Sequence, residues 1–170
     1  LEVSGGRLGP AGVERDELDA ESGALVWAAG EGAASYSSPT LVTLAGRPQL
    51  VVLNTASVSG HDPATGALLW EQPFPNQQPN VALPVRLDGD RPMVSAGYGG
   101  GSKAYRVSEA DGTLKATLEW ESPRLKSKFA NLIVHEGYVY GLDDGVLPCL
   151  DPTRGERRWK RRRHCHGHML

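Results

Sequence analysis

The residue types best able to bind a metal gather at the end of the chain, where His164, Cys165, His166 and His168 stand in HCHGH. In an extended strand, alternation sets the three imidazoles on one side and Cys165 on the other. Three imidazoles on one face can ligate zinc, but neighbours within one strand rarely complete a tetrahedral site without a ligand from elsewhere. The expectation is an inward-facing polar strand, with metal binding by His164, His166 and His168 as the alternative. Covalent haem attachment would need a second Cys at position 162, which is Arg162.

Three further stretches invite a chemical reading. GYGGGSK, from Gly97 to Lys103, resembles a phosphate loop only in its glycines. A phosphate loop opens a helix, whereas Lys103 precedes the strand-like AYRV, so the expectation is a wide hairpin or bulged connection. Glu136, Asp143 and Asp144 are carboxylates at turn positions, and solvated turn residues are the expectation for all three. The basic run from Arg157 to Arg163 could meet anionic lipid, nucleic acid or an acidic partner. A charged sheet edge is the simpler reading, because cations discourage edge-to-edge pairing.

These residues must be positioned by a repeat. Asp19, Gly23 and Trp27 in LDAESGALVW recur as Asp62, Gly66 and Trp70 in HDPATGALLW, and again as Asp151, Gly155 and Trp159 in LDPTRGERRW. A looser copy, EADGTLKATLEW, keeps Gly112 and Trp120 but spaces them eight apart. The glycines at 23, 66, 112 and 155 give intervals of 43, 46 and 43 residues, the length of a propeller blade. Asp at a turn start accepts backbone N–H bonds, and Gly near the turn end takes a positive φ. Each copy therefore predicts a tight turn between two strands, and the recurring Trp predicts a packing device between neighbouring blades.

The remaining sequence fits this plan. Strands are predicted at Thr40 to Leu44, Gln49 to Leu53 and Ser57 to His61, with Gly46 to Pro48 as a turn and ALLW as the fourth strand. In the third unit Leu87 and Met93 flank a DGD turn and a strand runs to Ala96. In the fourth, strands are predicted at Asn131 to His135, Tyr138 to Gly141 and Val146 to Leu150, with Cys149 as a small buried side chain. The first unit is Gly- and Pro-rich and gives only a short strand preceding Ser4 to Arg7 and another running toward Leu18. Twenty-one glycines and 12 prolines among 170 residues argue against a helical protein.

Charge is uneven. Residues 1 to 153 carry a net −8 and residues 154 to 170 a net +6, so most of the surface disfavours nucleic acid. Cys149 and Cys165 do not make a disulfide framework. No apolar segment is long enough for a membrane-spanning helix.

The Asp, Gly and Trp spacing resembles the repeat of the pyrroloquinoline-quinone-type propeller family, in which the motif opens with an Ala two residues before the Asp. Glu17, Gly60 and Cys149 stand at that position here. The family includes quinoprotein alcohol dehydrogenases and the propeller lipoprotein of the outer-membrane barrel assembly machinery. The resemblance implies an all-β propeller of four-stranded blades over residues 1 to 170, ending near Trp27, Trp70, Trp120 and Trp159. It implies an incomplete segment of a ring of about six to eight blades, whose flanking blades lie elsewhere in the protein. It also implies a periplasmic or extracytoplasmic location.

The family's enzymes hold a quinone on the propeller axis with Ca²⁺, an Asp base and a pair of adjacent cysteines. The two cysteines here are 16 apart, and no carboxylate can be assigned to the Ca²⁺ or base role. The expectation is a non-catalytic scaffold that binds a protein partner, with no cofactor and no catalytic, cofactor-binding or metal residues assigned. The alternative is a quinone- and Ca²⁺-dependent alcohol or sugar dehydrogenase with its catalytic residues outside this segment. An open arc leaves apolar blade faces uncovered, so residues 1 to 170 alone are expected to self-associate.

Overall fold

The structure, a computed structural model, describes residues 2–5, 15–29, 34–76 and 78–163. Every regular element among them is a strand. In chain order these are β1 Glu2–Gly5, β2 Arg15–Leu18, β3 Leu25–Ala29, β4 Thr40–Leu44, β5 Arg47–Leu53, β6 Ser57–His61, β7 Leu68–Pro73, β8 Val85–Leu87, β9 Arg91–Ala96, β10 Gly101–Ala110, β11 Thr113–Ser122, β12 Ile133–His135, β13 Tyr138–Tyr140, β14 Val146–Asp151 and β15 Glu156–Arg163. They form four antiparallel meanders, β1 to β3, β4 to β7, β8 to β11 and β12 to β15, each ending on a strand that carries a repeat Trp. The first strands of the third and fourth sheets, β8 and β12, lie against each other, as do the last strands of the second and third, β7 and β11. This is the blade-beside-blade arrangement of a β-propeller.

The second sheet keeps the predicted bounds of β4 and β6, while β7 runs on past Trp70 to Pro73 and β5 starts early, at Arg47. The β4–β5 turn is Ala45–Gly46, both at positive φ, with Leu44 opposite Arg47. Two left-handed residues match the twist of a tight hairpin, so Pro48 already lies in the strand, opposite Thr43. In the fourth sheet β12 begins at Ile133 rather than Asn131. The side chain of Asn131 instead accepts the Leu83 N–H at 3.0 Å, tying the approach to this blade to the previous one. In the first unit β1, Glu2–Gly5, runs past Ser4 rather than ending before it, and β2 ends at Leu18 as expected; residues 6–14 lie outside the described residues.

One local device recurs in all four sheets. The Trp stands opposite Glu17, Gly60, Ala104 or Cys149, and the register slips by one residue immediately after that pair. This bulge sharpens the twist of the last two strands, and at Trp27 and Trp120 the indole reaches the neighbouring blade. It also identifies Ala104 as the third unit's counterpart of the motif's leading Ala.

Beyond the bulge the units diverge. In the second and fourth, the Asp opens a compact turn: Gly66 N–H donates to Asp62 O and Gly155 N–H to Asp151 O, each at 2.9 Å. The indole of Trp27 lies on Gly66, so close that a Cβ there would be 2.5 Å from Cε3, and its Nε1 donates to Pro63 O at 3.2 Å. Trp120 repeats the contact on the next turn but one, with a Gly155 Cβ 2.5 Å from Cε3 and Nε1 donating to Pro152 O at 2.8 Å.

The third unit has no such turn. After the bulge, β10 and β11 continue through six pairs, from Tyr105 opposite Leu118 to Ala110 opposite Thr113, and close on Asp111–Gly112. The four extra residues between Gly112 and Trp120 are this longer hairpin. Nothing lies within 4 Å of a Cβ at Gly112, so Trp70 does not dock there. Trp70 is instead only 5% exposed, with its ring over Gly60 and its Nε1 donating to Gln49 Oε1 at 2.6 Å. Gln49 Nε2 in turn donates to Leu44 O. The hairpin fills the place of the missing turn, burying Tyr105, Val107, Leu114 and Ala116 against Trp70 and Phe74.

Candidate functional site

In each four-stranded meander the turns after the first and third strands fall at one end, and the turn after the second falls at the other, with the chain's crossings between blades. The second end gathers residues 34–39, 54–56, 74–76, 78–84, 97–100, 123–132 and 141–145. These loops are held by side chains. Asn80, fully buried, donates from Nδ2 to Asn54 O at 2.6 Å and accepts at Oδ1 from Asn76 Nδ2 at 2.8 Å. Its carbonyl accepts from the Tyr36 N–H and the Ser35 hydroxyl, and Thr55 Oγ1 donates to Ala34 O at 3.0 Å. A short polar side chain that satisfies loop backbone groups substitutes for the ladder bonds that a loop lacks.

A second cluster fixes the loops of the third and fourth blades. The Ser95 hydroxyl donates to Leu125 O and accepts from Ser127 N–H, and Gly97 is pressed against Lys128, whose Cγ would lie 2.2 Å from a Cβ. Lys126 Nζ pairs with Asp143 at 2.6 Å and Lys128 Nζ with Asp144 at 2.9 Å. Lys128 Nζ also lies 4.9 Å from the centre of the Tyr98 ring. The two clusters join where Asn76 Nδ2 meets Gly100.

On this braced surface three aromatic side chains face outward: Tyr36, 73% exposed, Tyr98, 49%, and Phe129, 52%. Tyr98 adopts a φ of 55°, a conformation that costs about 1–2 kcal/mol for a residue with a Cβ. A strained backbone that presents an exposed ring is a feature of recognition surfaces. Sequence reading passed over all three rings. The available signal was weak: each sits among Ser, Pro, Gly or Lys rather than in an apolar strand.

The residues singled out from the sequence do not converge. Asp143 and Asp144 belong to this loop end, ion-paired to lysines rather than simply solvated, while Glu136 lies in the β12–β13 turn at the opposite end. Lys103 pairs with Glu121 at 3.1 Å and lies over the Phe74 ring, and Gly97–Gly100 is the β9–β10 turn. Cys149 is buried opposite Trp159. Arg157, Arg158, Lys160 and Arg161 are exposed on β15, the last strand of its sheet, as expected for a charged edge. His164, Cys165, His166 and His168 lie outside the described residues. Among the described residues no three His, Cys, Asp or Glu side chains come together as a metal site. No helix among them is long and apolar enough to cross a membrane, which says nothing of a β-barrel.

No curated protein matches the chain. Among solved structures it is similar to the crystal structure of BamB from Moraxella catarrhalis, with 18% identity and a TM-score of 0.44 over 86% of this chain and 54% of that one. The chain thus spans about half the length of that relative. The sequence profile of a PQQ-type repeat family, described as outer membrane protein assembly factor BamB, matches residues 11–162, which is most of the chain and all four repeat tryptophans. The chain belongs to that family.

Proposed function

We propose that this chain is a non-catalytic propeller scaffold that binds a protein partner through the loop end carrying Tyr36, Tyr98 and Phe129. The observation that carries the reading is that three exposed aromatic rings stand on loops already fixed by buried side-chain hydrogen bonds. Aromatic side chains dominate binding energy at protein interfaces, and pre-ordered loops reduce the entropy lost on association. The family description supports an extracytoplasmic placement and a partner in outer-membrane protein assembly. No resident cofactor enters the reading, and the commitment of Asp143 and Asp144 to lysines supports that.

The test compares the native chain with a Tyr36→Ala, Tyr98→Ala, Phe129→Ala variant in a pull-down from a cell-envelope extract. A partner held by the native chain and lost by the variant, with the thermal transition of both alike, is the expected result. Undiminished capture by the variant would overturn the assignment of this face. In parallel, pyrroloquinoline quinone and Ca²⁺ are added and then removed by desalting. Stoichiometric quinone absorbance retained by the protein would favour the dehydrogenase reading instead.

A further inference from the structure

The two ends of the blades differ in charge. In the four-stranded sheets the turns opposite the loop end, residues 45–46, 62–67, 88–90, 111–112, 136–137 and 152–155, hold Asp62, Asp88, Asp90, Asp111 and Glu136 against one base, Arg154, a net −4. Among its described residues the loop end holds Arg124, Lys126, Lys128, Asp143 and Asp144, a net +1, in a chain whose residues 1 to 153 sum to −8. All three cations come from one segment, PRLKSKF, whose alternate residues are anchored beneath it. Leu125 and Ser127 are fully buried; the Leu125 carbonyl accepts from the Ser95 hydroxyl, and the Ser127 N–H donates to the same oxygen. Arg124, Lys126 and Lys128 are thereby left on the outside in a row that ends at Phe129, with Arg124 exposed and the two lysines half-buried.

This row is ordered but not saturated. Asp143 holds Lys126 at 2.6 Å, Asp144 holds Lys128 at 2.9 Å, and the Lys128 ammonium lies 4.9 Å from the centre of the Tyr98 ring. An ammonium has three donors, so these pairs fix each lysine without exhausting it. Among the described residues Arg124 makes hydrogen bonds only through its backbone, which leaves its guanidinium donors open. Both carboxylates of this face are already paired, so it offers a ligand cationic donors and aromatic rings. We infer that the protein partner of the loop end presents an acidic segment in which carboxylates stand beside apolar side chains, the carboxylates meeting Arg124, Lys126 and Lys128 and the apolar groups meeting Tyr98 and Phe129. The inference rests on the assignment of this end as the partner site and adds the chemistry of what it takes. Complementary charge favours encounter with the right partner and suppresses the wrong one, and the acidic turns at the opposite end repel the same segment.

Fluorescence anisotropy of labelled peptides on the full chain tests this. The probes are four repeats of Glu-Leu-Gly and the same peptide with Gln or Lys in place of Glu. The Glu peptide is expected to bind about tenfold more tightly than the Gln peptide at about 50 mM salt, with the Lys peptide weakest and the advantage shrinking at about 300 mM. Arg124→Glu should lower the affinity for the Glu peptide about tenfold with an unchanged thermal transition, and Asp88→Asn at the opposite end should leave it within about twofold. Equal binding of the Glu and Gln peptides, lost together in the Tyr36→Ala, Tyr98→Ala, Phe129→Ala variant, would overturn the acidic partner and leave the aromatic face standing. Absence of binding by every peptide, or an Arg124→Glu variant that binds the Glu peptide as the native chain does, would also overturn it, while the pull-down judges the face independently. Phosphatidylglycerol vesicles that bind as well as the Glu peptide, and are lost on the same substitution, would make the occupant a lipid headgroup and overturn the peptide assignment.

Discussion

The junction between the second and third blades differs from the two that flank it, although all three begin with a Trp after the same bulge. At the flanking junctions the indole of Trp27 or Trp120 crosses to the next blade, lies flat on a glycine and donates to a carbonyl there. At the middle junction the indole of Trp70 stays over its own sheet and donates to its own Gln49, and a long hairpin closes over it. The docking of each flanking indole uses one ring and one turn, and it needs a glycine at one position. The middle contact is a continuous apolar core of both blades, and it needs volume rather than a special backbone. The same Trp therefore serves two kinds of interface, and the neighbouring turn decides which.

If that distinction holds, Trp70→Ala has the largest effect. The ring is buried, so both transfer and cavity terms are lost, at a cost of about 3–5 kcal/mol. The Gln49 carbonyl is left without its donor in the same step, which adds to the cost. Chemical denaturation measures the difference directly, and an unchanged midpoint would show that Trp70 is not the centre of this core.

Glycine substitutions separate the two kinds of junction more sharply. Gly66→Ala places a methyl 2.5 Å from the Trp27 ring and holds a residue with a Cβ at φ 73°, so it should lose the docking contact and incur backbone strain. Gly112→Ala meets nothing within 4 Å and pays only for its φ of 76°, about 1–2 kcal/mol. Gly66→Ala should therefore be the more destabilising of the two, and only it should shift Trp27 fluorescence. Equal losses with no change in emission would show that the close approach at Gly66 carries no energy.

Much of this was legible in the chain because a repeat is visible as spacing. The 43-residue intervals located three turns and all four Trp strands, and the bounds of β4 and β6 follow from alternating apolar residues between turn signals. The third unit was harder to read because its Gly112 is the tip of a longer hairpin and not the counterpart of Gly66. Pairing, not spacing, reveals Ala104 as the equivalent position. The direction of Trp70 could not be read either, since it depends on what the next blade offers. The loop-end aromatics have no periodicity, and only the packing of Asn80, Ser95 and Lys128 beneath them shows that they stand on a fixed surface.

The smallest expected effect concerns the junction of the third and fourth blades, where a charge network reinforces the indole. Arg91 donates from its second guanidinium nitrogen to the same Pro152 carbonyl that Trp120 uses, at 2.6 Å, and from Nε to Glu119 at 2.5 Å. Arg106 holds the other oxygen of Glu119 at 2.6 Å. Partial burial works to raise the Glu119 carboxyl, but the hydrogen bonds and charges of Arg91 and Arg106 outweigh it and hold the group below its ordinary 4.5. A carboxylate depressed in the folded state contributes stability above its unfolded value and loses it as pH falls through the folded one. The native chain should therefore weaken below about pH 4.5, and Glu119→Gln should remove this part of the acid limb at a cost of about 1 kcal/mol at neutral pH. Asp19 and Asp151 are also depressed, by hydrogen bonds within their turns, and their share of the acid limb stays in both proteins. The difference between the two denaturation curves thus isolates Glu119. If the curves run parallel from pH 7 to pH 3, the arginines position the Pro152 turn without help from the carboxylate.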